Sequence, residues 1–322
     1  MEPIDFWEPT EETVDNFSEL QSLLEEVFAK GPKRGRTFAW RGQLNAEWPL
    51  TSSLYRRLKL ALERNPEERD LYNFEGKILA NVHRWGLHMS KTQGRLSVLN
   101  QLATMQHYGA PTRMIDVSFN PWIGIWFAVE QRFDNGNVLY VNEDARVFAI
   151  DVTDSLINAN DQYRSWEDEL KRPWRVGHPW SKSCSPDEGG DKEQYLEWCT
   201  KPFAWRPAHF DNRIAAQNGG FVLGGAPLSY GPGNRPNQWP RDGGGYWTMD
   251  EVRDSTSISV HPNRLKSKGR VSSSAVYSIR IRAAAKEKIR KRLQTLFGYE
   301  HRTLYPDFAG FAQFGTAKIK NL

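Results

Sequence analysis

Three separated stretches bring together polar side chains of the types that bind anions and handle charge. In "TFAWRGQLNAEWPL", residues 37–50, Arg41 follows the apolar run Phe38-Ala39-Trp40 and precedes Gly42 and Gln43. A planar guanidinium at a strand end can grip a phosphate or carboxylate through two parallel hydrogen bonds. A glycine beside it removes the side chain that would keep a ligand from the backbone. A plain surface ion pair would use the same residues. In "QHYGAPTRMIDVSFNPWIGIWFA", residues 106–128, His107, Tyr108, Thr112, Arg113, Asp116, Ser118 and Asn120 crowd around a short strand between two apolar helices. Polar groups in such a half-buried segment need partners. Arg113 pairing Asp116, and Asn120 capping the helix that Pro121 opens, would supply some of them. In "NRIAAQNGGFVL", residues 212–223, Arg213 and Gln217 flank two alanines ahead of a Gly-Gly pair. Read as a strand, the stretch places both side chains on one face, where glutamine offers a neutral donor and acceptor for a sugar hydroxyl. A β-bulge at the glycines, with Gln217 facing water, fits the same letters.

These residues need a scaffold, and the pattern along the chain supplies one. Residues 16–29 place Phe17, Leu20, Leu24, Val27 and Phe28 on one helical face behind Asn16 as cap. "RGRTFAW" reads as a strand ending at Arg41. Residues 65–89 and 96–108 read as helices, followed by a strand through Ile115 and a helix from about Asn120. Residues 137–151 read as a hairpin around Asn142-Glu143-Asp144. Residues 272–282 alternate as a half-buried strand, residues 283–298 form a basic amphipathic helix, and a last short helix starts near Asp307. A polar, Trp-bearing insert spans about 152–200, and a Gly/Pro-rich loop spans 224–245. The mixed order of strands and helices predicts an α+β fold, read as one domain over 1–322 with an N-terminal helical segment at about 1–35.

Composition narrows the function. The chain has 322 residues, 39% of them hydrophobic, with thirteen tryptophans and a formal charge of +4, which describes a globular, mildly basic protein. No apolar run reaches membrane-spanning length and the acidic start "MEPIDFWEPTEE" does not read as a signal peptide, so a cytoplasmic protein is expected. Cys184 and Cys199, with His178 and His209, match no zinc-ligand spacing, and no metal is expected. There is no phosphate-cradling Gly-rich signature, no HExxH and no GxSxG.

"FAWRGQ", the block "HYGAPTRMID" at 107–116, "NRIAAQNGGFVL" and "LYPDFAGFA" together resemble the FRG-domain family, over roughly 36–313 with the insert interrupting. A looser resemblance joins the aromatic-Arg-Gly stretch and "SFNPWIGIWFA" to arginine-first ADP-ribosyltransferases. That resemblance implies an ADP-ribosyltransferase-like mixed or antiparallel β core that takes NAD as substrate. It casts Arg41 as the group that binds the NAD diphosphate, with Tyr108, Thr112 or Ser118 near the second polar position. Gln217 falls where those enzymes carry glutamate, and Asp116 is the nearest substitute carboxylate. Gly42, Gln43, His107, Arg113, Asn120 and Arg213 complete the implied cofactor-binding set. The resemblance further implies a toxin or phage-defence role, with a nucleic-acid acceptor and an antitoxin protein as partners. The basic helix and the Trp-rich stretch at 164–180 offer phosphate contacts and stacking surfaces for that acceptor. The rival readings are a non-catalytic nucleotide- or nucleic-acid-binding module and an NAD glycohydrolase.

Overall fold

A computed structural model describes residues 3–30, 36–90, 94–158, 192–207, 211–265 and 274–316. Nine strands form one mixed sheet. They are β1 (Glu12–Val14), β2 (Phe38–Gln43), β3 (Ile115–Ser118), β4 (Ala145–Asp151), β5 (Leu156–Asn158), β6 (Phe203–Arg206), β7 (Gly219–Leu223), β8 (His261–Pro262) and β9 (Ala275–Ile281). Their order is β1-β9-β4-β2-β3-β7-β6-β5, with β8 alongside β9. With its flanking helices this is an α+β architecture, as expected.

The middle of the sheet positions the site. β2 pairs with β4 over six residues, from Phe38↔Asp151 to Gln43↔Arg146, but meets β3 only at Trp40↔Ser118. Beyond that pair the sheet divides into two halves. β1, β9, β4 and β2 lie on one side of the seam, and β3, β7, β6 and β5 on the other.

One face of the sheet is covered by α1 (Phe17–Ala29), α5 (Pro121–Val129) and α8 (Ala283–Phe297), whose Leu20, Leu24, Ile125, Trp126 and Ile289 pack with Trp40, Val147 and Tyr277. Trp7, Phe148, Ile150, Trp239 and Val252 fill the other. α5 is apolar all round, as a buried helix should be, and Asn120 caps it by accepting from the Trp122 N–H at 2.9 Å. It lies against β2 at backbone distance. A Cβ on Gly42 would stand 2.1 Å from the Gly124 carbonyl oxygen, and one on Gly124 would stand 2.6 Å from the Trp40 Cβ. Gly42 therefore admits a helix to the strand rather than a ligand to the backbone.

Several expected elements form where the sequence placed them. α1 starts at the Asn16 cap, and α3 (Glu68–Arg84) starts with a capping box between Glu67 and Asp70. α4 (Val98–His107) begins at the Ser97 cap, α8 ends at Gly298, and a short helix follows Asp307. Others differ. β2 continues two residues past Arg41. The hairpin lies earlier than 137–151, between Arg132–Asp134 and Asn137–Leu139, because Asn135 and Gly136 both take the positive φ its two-residue turn requires. β4 is thereby free to pair with β2 and β9. "NRIAA" is a helix, α6 (Asn212–Ala216), because Asp211 accepts the Arg213 and Ile214 N–H groups and caps it; β7 starts only at Gly219. The sheet also reaches into the expected insert, since β5 lies at Leu156–Asn158, and Lys192–Trp198 is helical. Residues 159–191, with the Trp-rich stretch, His178 and Cys184, lie outside the described residues, as does His209. Among the described residues no helix is long and apolar enough to cross a membrane, and no cluster of His, Cys, Asp and Glu could hold a metal.

Candidate functional site

Where β2 and β3 part, a cavity of about 550 Å³ opens, bounded also by the end of α4, the end of α5, α6 and Tyr305. That volume suits a ligand of nucleotide size. Arg41 projects into it from β2. Its Nη1 donates to the Asp116 backbone oxygen at 3.0 Å and lies 4.0 Å from the Asp116 carboxylate. Nε is buried and has no hydrogen-bond partner. A buried guanidinium N–H without an acceptor is costly, and an anion would supply one. Asp116 is too open to serve as a strong counter-ion, with its side chain 63% exposed. Gln106 fixes that carboxylate by donating from Nε2 at 2.8 Å.

α6 and the segment after α8 form another wall. Arg213 donates from Nε and Nη2 to the two Asp307 oxygens, both at 2.6 Å, and lies over the Tyr305 ring. Hydrogen bonds from Arg213 hold the Asp307 carboxyl below its ordinary pKa. His107 faces Asp211 at 3.8 Å. Gln217 is at the C-terminal end of α6, and its Nε2 donates to the Leu304 carbonyl at 2.8 Å.

The cavity also holds an acid that the sequence reading passed over. Glu130 ends α5 and is 4% exposed. It accepts from Arg132 Nε at 2.7 Å and from the Tyr305 hydroxyl at 2.9 and 3.1 Å. Burial raises its pKa above the ordinary carboxylate range, and Arg132 and the Tyr305 hydrogen bond offset this only in part; Arg41 adds a weaker pull in the same direction. Burial and the Glu130 charge together push the Tyr305 phenol well up. An acid at a helix C-terminus sits against the dipole. That misfit, visible in "WFAVE", was the available signal.

The expected set thus divides. Arg41, Gly42, Gln43, His107, Asp116, Arg213 and Gln217 line the cavity, whereas Tyr108, Thr112, Arg113, Ser118 and Asn120 do not. Tyr108 is 82% exposed at the end of α4, where the helix turns it outward. Thr112 is fully buried; its hydroxyl donates to Gln106 Oε1 and its N–H to Ser53 Oγ at 3.1 Å. Ser118 donates to the Gln217 carbonyl at 2.7 Å, and Asn120 donates to Tyr299 besides capping α5. Arg113 does not pair with Asp116. It is buried between Glu75 at 2.7 Å and Glu68 at 2.9 Å, where burial opposes its charge but the two carboxylates outweigh it and hold its pKa up. Gln43 donates to the Pro49 carbonyl, while its Oε1 is buried without a partner.

This geometry brings together "FAWRGQ" and part of "HYGAPTRMID", the blocks that carry the sequence resemblance. Residues 36–137 match the FRG domain family. The FRG match takes in Arg41, His107, Asp116, Glu130 and Arg132, and it stops short of Arg213, Gln217 and Tyr305. Arg113 and Thr112, from the second of these blocks, hold the matched region together rather than lining the cavity. No curated protein and no solved structure matches the chain.

Proposed function

We propose that the cleft binds NAD and cleaves its bond to nicotinamide, passing ADP-ribose to a macromolecular acceptor. The observation that carries this reading is Arg41, a guanidinium with a buried, partnerless Nε in a nucleotide-sized cavity. Arg41 anchors the diphosphate, since its planar fork matches phosphate oxygens. Glu130 is the carboxylate that meets the ribose and the positive charge developing on it, in surroundings dry enough to make that interaction strong. Gln217 lines the same cavity with its Nε2 anchored on the Leu304 carbonyl, which leaves its Oε1 as a further acceptor for a ribose hydroxyl. Nucleic acid is the proposed acceptor, supported by the solvent-facing Lys288, Lys291 and Arg292 of α8. A cytoplasmic toxin or defence effector held in check by an antitoxin is the setting that this chemistry suits.

The test is incubation with NAD labelled in its adenylate half, with RNA, DNA or protein, while nicotinamide release is followed. Wild type releases nicotinamide and moves the label to nucleic acid. Arg41→Ala and Arg41→Lys each lose about 100-fold or more, because a point charge cannot replace the fork, while the unfolding midpoint stays nearly constant. Binding of NAD without release would identify a binding module, and label left entirely as free ADP-ribose would identify a glycohydrolase.

A further inference from the structure

One side of the cleft mouth is made by two loops, residues 44–49 after β2 and residues 140–144 before β4. Trp48 from the first and Tyr140 from the second meet edge to face, ring centroids 4.8 Å apart at 83°. Both line the cavity, and both are 36% exposed. An edge-to-face pair leaves each ring at least one face unstacked by its partner. What sets this pair apart is its place, side by side in the wall of a nucleotide-sized cavity.

The backbone beneath them is held under strain. Tyr140 has φ 56°, the left-handed region that a bulky residue avoids. Lys286 of α8 keeps it there. Its buried Nζ donates to the carbonyls of Tyr140 at 2.7 Å, Leu44 at 2.9 Å and Glu143 at 3.1 Å. The Ala46 N–H donates to the Asp144 carbonyl at 2.7 Å and ties the two loops directly. One ammonium group and one backbone bond thus fix the spacing of the two rings.

We propose that Trp48 and Tyr140 form a stacking subsite for a planar heterocycle of a bound nucleotide, with Lys286 as the positioning residue that sets the rings. The inference rests on the nucleotide reading of the cleft and assigns one part of the ligand to one part of its wall. Aromatic side chains bind bases through their π-faces whatever the base. Arg41 supplies the phosphate contact within the same cavity.

The experiment is calorimetric titration of the full chain with AMP, nicotinamide mononucleotide and ribose 5-phosphate. Wild type is expected to bind at least one ring-bearing ligand about tenfold more tightly than ribose 5-phosphate, and the preferred one tells adenine from nicotinamide. Trp48→Ala and Tyr140→Gly abolish that preference and leave ribose 5-phosphate affinity unchanged. Glycine accepts the positive φ at this position, and the unfolding midpoint of Tyr140→Gly is measured alongside: a midpoint near that of wild type shows that lost binding is not lost folding. Lys286→Met narrows the ring preference in the same direction. Equal wild-type affinity for all three ligands, or an unchanged preference in Trp48→Ala and Tyr140→Gly, would overturn the subsite. A preserved ring preference without nicotinamide release from NAD would overturn the proposed activity and leave the subsite standing. Nicotinamide release with an unaltered KM in Trp48→Ala would do the reverse.

Discussion

Glu130 and Arg41 share the cleft but are held in opposite ways. Glu130 is buried and bound by Arg132 and Tyr305, while Arg41 keeps an unused N–H. In the proposed reaction charge stabilisation would require Glu130 ionised, and burial raises its folded-state pKa above the ordinary range. The acid limb of nicotinamide release is therefore expected above the pH at which an exposed glutamate titrates, near 4.3. Glu130→Gln removes that limb and lowers the rate by about 100-fold or more at neutral pH. The pH–rate profiles of the two proteins check this, and an unchanged profile in Glu130→Gln takes the residue out of the chemistry. Arg41 was legible in the sequence because a cation ending an apolar run is conspicuous. Glu130 was not, because what sets it apart is burial beneath Tyr305, which is 175 residues away.

At the scale of elements, helix and strand meet most closely where Gly42 of β2 faces Gly124 of α5. Gly42→Ala drives a methyl into a backbone carbonyl that no rotamer change can move. A loss of about 2–3 kcal/mol is expected, read by denaturant unfolding. Equal stability would show that α5 can shift. The sequence suggested a glycine cleared for a ligand, since sequence cannot tell which partner comes close. It marked α1, α4 and α5, which Asn16, Ser97 and Asn120 cap through local bonds, but missed α2 (Ser53–Leu62) and α7 (Met249–Ser255), although Ser52 and Thr248 cap them in the same way. It misjudged "NRIAAQNGGFVL", where the Asp211 cap outweighed the apolar run. His261 in β8 gives a further expectation. Burial lowers its pKa to about 4, and its ring stacks on Trp239. The unfolded chain takes up that proton first, near pH 6.5, so the stabilisation is complete above 6.5 and is lost as pH falls toward 4. Unfolding midpoints in that window should decline by the equivalent of at most about 3 kcal/mol, and less in His261→Gln.

For the whole molecule, Arg113 joins segments that lie far apart in the sequence, all on the β3 side of the seam. It ties Glu68 and Glu75 of α3, and Glu68 in turn accepts from the Trp198 indole at 3.0 Å and the Ala226 N–H at 2.9 Å. Arg113→Ala leaves two buried carboxylates without their cation. The expected loss is about 3–5 kcal/mol in stability, which removes folded protein and not a particular step of the reaction. Circular dichroism melts separate this from Arg41→Ala, and a stable, inactive Arg113→Ala would return Arg113 to the site. The α+β class was readable from the order of local patterns. The division of the sheet was not, since register between distant strands leaves little local mark.

The seam gives the sheet inner edges as well as outer ones. An uncovered edge is a template on which another chain can add a strand. Here the inner edge of β3 is stopped by the Arg41 guanidinium, which takes up the Asp116 carbonyl that a visiting strand would need. A charge pointing along an edge is among the means by which proteins discourage such pairing. On the proposed reading, the side chain that would bind an anion also occupies an acceptor that strand addition would use. Loss of Arg41 should show in light scattering on prolonged storage even where the melting curve does not change.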